Sequence, residues 1–180
     1  MSNEPNSHTD YRTARKAFIA ACETVHADPI SRVHPRLSGS DGKPLFIDSV
    51  ALGPRTAEKA VLLIGDGAAA SAAMTALLRG GINLPADARL VMVHAFDPFS
   101  FAGASGQDRP WSRAMLRAIA TEDLAQVTEL SVLTLGLPED ALSDVPTPRR
   151  SRTRLALKQI DAKTGMKALQ KIVADELSRL

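Results

Sequence analysis

Residues 60–78 read AVLLIGDGAAASAAMTALL: five unbroken apolar residues, a Gly-Asp-Gly turn, then a run of Ala, Met and Leu that favours helix. An apolar run without alternation fits a strand covered on both faces, the situation of a parallel sheet. Strand, glycine-rich turn and helix in that order make half of a β-α-β unit, and Gly80-Gly81 predicts a left-handed stop to the helix. The next apolar run, LVMVHA at 90–95, completes the unit as a parallel neighbour. The fold class that follows is α/β. In such folds ligands are held where strand carboxyl ends meet helix amino termini. Gly65, Asp66, Gly67, Ser71, His94 and Asp97 are therefore the candidate pocket residues.

Upstream, Thr9-Asp10 offers a helix N-cap, and Tyr11, Ala14, Phe18, Ala21, Cys22 and Val25 share one helical face. ISRVHPRL (30–37) and LFIDSVAL (45–52) read as two strands around an Asp41-Gly42 turn. Pro35 cannot donate to a ladder, which makes the first an edge strand. Downstream, residues 97–110 read as a loop, Pro110 as the start of a helix ending near Ala120, and Thr121 as the cap of a second one. Residues 130–135 fit helix or strand by periodicity and are read as helix. Residues 136–151, with three prolines, read as a linker. Met166, Leu169, Val173, Leu177 and Leu180 form an apolar stripe opposite Lys163, Lys167 and Lys171. The expected division is an α/β domain over 1–148 and a basic amphipathic helical segment over 149–180, packed on that domain or on a partner.

Composition narrows the classes. With 180 residues, 44% hydrophobic and only 4% aromatic, the chain builds one core from Ala, Leu, Val and Ile, which suits helix-on-sheet packing. The single Cys22 excludes an internal disulfide and a cysteine-based zinc cluster. The amino-terminal MSNEPNSHTD carries no secretory pattern, and Asp66 interrupts the longest apolar run, so the expectation is a cytoplasmic protein without a membrane segment. Between 149 and 180 nine Lys or Arg face three acids, so residues 1–148 carry a net −4 beneath a basic tail. Such asymmetry points to an acidic partner surface: a second copy or another protein met through the basic helix, in preference to nucleic acid.

Four segments together, DYRTARKAF, VHPRLSGSDGKPLFIDSVALGP, AVLLIGDG and LVMVHAFDPFSFA, resemble the amino-terminal half of a bacterial domain family of unknown function. That family is related to the zinc carboxypeptidase and succinylglutamate desuccinylase-like hydrolases. The resemblance spans roughly residues 10–103 and implies a three-layer αβα fold with a mixed, mainly parallel sheet, here truncated and followed by a helical carboxyl-terminal segment. It also implies a zinc hydrolase site. The family's Ser-Gly-Thr-His-Gly-x-Glu-Gly run, whose His and Glu hold zinc, is replaced here by Gly65-Asp66-Gly67-Ala68-Ala69-Ala70-Ser71. Asp97 stands where the family has Asn, and the expectation is that the half bringing the remaining ligand and the catalytic Glu is lost or replaced.

The residues left in the corner suggest little chemistry of their own. Ser71 lacks a Gly-x-Ser-x-Gly elbow, which argues against a nucleophile. Asp66 reads first as a brace of its own turn, and second as a cation or amine ligand. His94 reads as a hydrogen-bonded structural histidine before it reads as a metal ligand. No metal or other cofactor is expected. Two functions remain: a non-catalytic, carboxypeptidase-like binding or assembly module, and a metal-dependent hydrolase of small amides or esters.

Overall fold

The computed structural model describes residues 7–39, 41–102, 109–137, 154–161 and 164–180. Its strands are β1 (Ile30–Ser38), β2 (Pro44–Leu52), β3 (Lys59–Gly65), β4 (Ala88–His94), β5 (Glu129–Leu135) and β6 (Arg154–Ile160). Its helices are α1 (Ser7–Thr24), α2 (Gly67–Gly80), α3 (Arg109–Asp123) and α4 (Met166–Arg179). The strands form one sheet in the order β1-β2-β4-β3-β5-β6. The pairings β3–β4, β3–β5 and β5–β6 are parallel, whereas β1–β2 and β2–β4 are antiparallel.

β3 sits between β4 and β5 with Leu62 level with Val91 on one side and Val132 on the other. Its two faces are both buried. Val61 and Leu63 meet α1, α2 and α4 through Phe18, Cys22, Met74, Leu77, Leu169 and Val173. Leu62 and Ile64 meet α3 through Leu116, Ile119 and Ala120. This is why residues 60–64 show no alternation, and it makes the expected three-layer αβα fold with a mixed sheet. Each such buried aliphatic side chain contributes about 1.5–3 kcal/mol. Small Ala-rich helices can lie close to the sheet, so the core needs few rings.

β6 is one of the two edge strands and β1 is the other, as Pro35 requires. Its upper half is also blunted from within: His34 Nδ1 accepts the Arg36 and Leu37 amides at 3.3 and 2.9 Å. α1 ends in a Schellman turn, with Ala27 N–H donating to Cys22 O at 3.1 Å and His26 at φ 52°, a left-handed position usually given to glycine.

Several expectations are corrected. α1 begins at Ser7, so Thr9-Asp10 lies inside the helix instead of capping it. Gly81 has the positive φ expected of a stop, 75°, but its ψ of 147° is extended, so the helix ends without a left-handed residue there. Thr121 starts no second helix, because α3 runs unbroken to Asp123 and the Thr121 hydroxyl donates to Arg117 O within it. Residues 130–135 form β5, not helix: the run is short and apolar because it is a strand buried between β3 and β6. Residues 154–160, read as part of a helical segment, join the sheet as β6, whereas the helix proper is α4. Leu169, Val173 and Leu177 are buried against the body of the same chain, and Met166 remains exposed. The linker reading of 136–151 falls mostly outside the described residues. No helix among the described residues is long and apolar enough to cross a membrane.

Candidate functional site

The corner after β3 is tied up by its own hydrogen bonds. Asp66 precedes α2 in extended backbone, yet its carboxylate turns away from the cap role. Oδ1 instead accepts the Asp97 N–H at 3.0 Å and the Ser100 hydroxyl at 2.7 Å. Phe96 N–H donates to Gly65 O, and Asp66 N–H donates to Leu135 O, so both neighbouring strands are stitched to the turn. Burial raises the pKa of the Asp66 carboxyl to about 7, helped by the nearby Asp97 charge and opposed by hydrogen bonds from the Ser100 hydroxyl and from the Asp97 and Gly67 amides. Asp97 turns its own carboxylate back to the Phe99 amide at 3.0 Å. Gly67, at φ 79°, starts the helix where a side chain would be strained.

Ser71 and His94 form a separate pair. The Ser71 hydroxyl lies 2.6 Å from His94 Nε2, in the interior. His94 is fully buried and stacks on Phe18 at 4.4 Å. Burial pushes its pKa down to about 4 against the pull of the Asp48 charge, so the ring is neutral at pH 7. Nδ1 has no hydrogen-bond partner and lies 4.0 Å from Asp48 Oδ2.

Asp48 is the residue that sequence reasoning missed, together with Arg15. Arg15 Nε and one terminal nitrogen hold the Asp48 carboxylate at 2.7 and 2.9 Å, and the Ser31 hydroxyl also donates to it. The signal was present as an Asp in the middle of the apolar strand LFIDSVAL, since a buried carboxylate needs a cation. Serine, histidine and aspartate thus stand in the order of an acyl-transfer triad. The geometry is that of a brace. The histidine–aspartate gap exceeds hydrogen-bond reach, and the aspartate charge is given to Arg15. Ser71 sits on the second turn of a helix, and its backbone amide is engaged in that helix and not free to stabilise an oxyanion.

The six residues nominated from sequence therefore divide. Asp66, Asp97 and the two glycines form the braced turn, and Ser71 and His94 form the buried pair. Ser71 and Ala68 also line a groove of about 580 Å³ between α1 and α2, with Ala14, Ala17, Ala72 and Thr75. β3 connects toward β4 and β5 toward β6, so the connections diverge between β3 and β5, and that is where an open α/β sheet leaves its crevice.

A zinc ion does not fit this corner. Asp66 is spent on Asp97 and Ser100, His94 turns Nε2 to Ser71, and the described residues contain no group of three or more His, Cys, Asp or Glu side chains placed to hold a metal.

The model of a family described as protein of unknown function (DUF2817) matches residues 8–105. No curated protein matches the sequence. Among solved structures, the glutaminyl cyclase of Porphyromonas gingivalis is 14% identical with a TM-score of 0.41, over 71% of this chain and 57% of its own. That of Macrostomum lignano is 10% identical with a TM-score of 0.42, over 84% of this chain and 64% of its own. A candidate metallopeptidase of Shewanella amazonensis is 14% identical with a TM-score of 0.45, over 96% of this chain and 91% of its own. The chain thus spans under two thirds of either cyclase. At these scores none of the three carries a functional argument.

Proposed function

We propose a function for this chain from the premise that it belongs to the DUF2817 family, whose function is unknown: it is a non-catalytic binding or assembly module on an α/β scaffold of the zinc-carboxypeptidase-like kind. The observation that carries this reading is the fate of Asp66, the acidic side chain in the turn where the related hydrolases place zinc ligands. Its carboxylate braces the loop after β4 through Asp97 and Ser100. A group held this way stiffens a surface and is not poised to bind metal.

The contact surface we assign is the outward face of α4, where Lys167, Lys171 and Met166 are exposed. Residues 1–148 carry −4, so a second copy of the chain offers an acidic face to this basic one. A reduced, cytoplasmic setting suits the lone free Cys22, which is buried and whose thiol burial pushes up to about 12.

Elemental analysis of protein purified without chelators tests the first part. Far less than one zinc per chain is expected. Close to one zinc per chain, lost in Asp66→Ala or His94→Ala, overturns the reading and establishes a metal-dependent hydrolase in its place. Sedimentation at low and high salt tests the second part. Self-association weakened by salt and by Lys167→Glu with Lys171→Glu is expected, and a monomer under both conditions removes the second copy as partner.

A further inference from the structure

At the opposite end of the sheet from the braced corner lies a cavity of about 390 Å³ between the α1–β1 turn, the end of β2 and the start of β4. Its depth is set by Arg89 and Asp123, which are 3% and 8% exposed and joined at 2.9 Å. One terminal nitrogen of Arg89 also donates to Gly53 O at 2.8 Å. Arg89 Nε is buried with no acceptor on the protein, an arrangement that costs about 1–3 kcal/mol unless something supplies one. The exposed wall carries Arg55 and Asp28, one cation and one anion, neither held in an ion pair among the described residues.

We propose that this cavity binds a small zwitterion, a free α-amino acid or a dipeptide, with its carboxylate on Arg55 and its ammonium on Asp28. The charges decide the class. Arg89 cancels Asp123 in the depth, and Arg55 balances Asp28 at the wall, so the site has no net field to draw a dianion or a dication. It offers instead two opposite fixed charges to a ligand that carries both. A guanidinium suits a carboxylate through paired N–H donors. The volume lies at the small end of ligand pockets and excludes a nucleotide-sized occupant with its phosphates.

The cavity is built and not incidental. Gly53, at φ 91°, brings its carbonyl onto Arg89, and a Cβ there would lie 2.4 Å from Ala88 O, so the wall admits no other residue without a backbone shift. Arg32 donates to Ser49 on the same wall and pairs with Glu122 beside Asp123, which holds α3 against the β1–β2 hairpin and keeps the opening in place. This inference stands apart from the proposed function, since either a binding module or a hydrolase could hold such a ligand here.

Isothermal titration of the full chain at about pH 7.5 tests it, with the L-amino acids of zero net charge and glycylglycine as zwitterions, and with succinate and putrescine as net-charged probes of similar size. At least one zwitterion is expected to bind at least ten-fold more tightly than either charged probe. Arg55→Ala and Asp28→Asn should each weaken it at least ten-fold, and Arg55→Lys should restore part of the loss. Both positions are exposed, so circular dichroism and the melting temperature should match the parent. No heat from any zwitterion up to about 10 mM, equal binding of succinate or putrescine, or unchanged affinity in both variants overturns the proposal. Should a variant fail to fold, chemical-shift mapping by nuclear magnetic resonance of the parent decides it: shifts confined to residues 25–30, 49–55, 89 and 123 are expected, and shifts elsewhere overturn it.

Discussion

The two ends of the sheet hold the same devices in opposite states. Each has an Arg–Asp pair with a buried carboxylate: Arg15–Asp48 beside His94 and Arg89–Asp123 beneath Gly53. Each also has one non-glycine residue at positive φ, Ala95 at 54° and His26 at 52°. At the carboxyl end most of the polar groups engage one another, from Asp66 through Asp97 and Ser100 and from Ser71 to His94 Nε2, with His94 Nδ1 left over. At the amino end the pair is sealed in depth while the wall keeps Arg55 and Asp28 open. The described polar residues at the sheet's carboxyl end are thus largely paired with one another, and the charge without an ion-pair partner among the described residues lies at the other end.

Breaking the pairs should give the largest effects. Asp123→Ala leaves the Arg89 guanidinium buried without its counter-ion, and Arg15→Ala leaves the Asp48 carboxylate in the same condition. Each is expected to cost about 3–5 kcal/mol in urea unfolding. Asp48→Asn should cost less than Arg15→Ala, because Arg15 is a quarter exposed and can turn to water whereas Asp48 cannot. Equal losses for these two would show that the burial difference does not govern the pair. Leu169→Ala, which touches neither end, sets the scale for core packing alone at about 3 kcal/mol. A negligible loss there would mean that α4 is peripheral to the fold.

The pH dependence sharpens the comparison at the carboxyl end. Folding raises Asp66 from 3.8 to about 7, so the native state keeps a proton that the unfolded chain releases, and stability falls as pH rises through that window. Folding lowers His94 from 6.5 to about 4, so the unfolded chain takes up a proton first, and stability falls as pH drops through that window. The two slopes oppose each other between about 4 and 6.5. Relative to the parent, Asp66→Asn should therefore gain stability as pH rises from 4 to 7, and His94→Gln as pH drops from 6.5 to 4. Urea midpoints at four pH values would show it, and a flat difference for either variant sinks its assignment.

Much of this was legible in the sequence where burial is two-sided or a turn is chemically marked. The 60–64 run named the central strand, Pro35 named the edge, and Asp41-Gly42 named the hairpin. Residues 130–135 were not legible, because a six-residue run of four apolar residues with Ser131 and Thr134 fits a strand or a helix until its neighbours β3 and β6 are known. The site was half legible. Ser71, Asp66, His94 and Asp97 were singled out by their place after β3 and β4, but Asp48 and Arg15 are 33 residues apart and only the fold brings them together. The Arg89–Asp123 pair was unreadable for the same reason: nothing local in ARLVMVH or TEDLA links β4 to the end of α3.

The smallest expected effects compare the two left-handed residues. An L side chain at positive φ costs roughly 1–2 kcal/mol, and glycine removes that cost while adding freedom to the unfolded chain. Ala95 is buried at the turn out of β4, where Phe96 N–H is anchored to Gly65 O, so the backbone will hold its conformation whichever residue occupies it. Ala95→Gly should stabilise by about 0.5–1 kcal/mol with no change in ligand response. His26 is exposed, lines the amino-end cavity and closes α1 through the Schellman turn. His26→Gly should give a similar gain in stability, because the turn's hydrogen bonds come from the backbone of Cys22 and Ala27 and not from the ring. Its effect on the cavity is the discriminating part. Loss of the imidazole removes a wall group without moving Arg55 or Asp28, so zwitterion affinity should change less than three-fold, well below the ten-fold expected of those two residues. A ten-fold loss in His26→Gly would make the histidine a principal contact and shift the ligand's anionic or cationic group onto it.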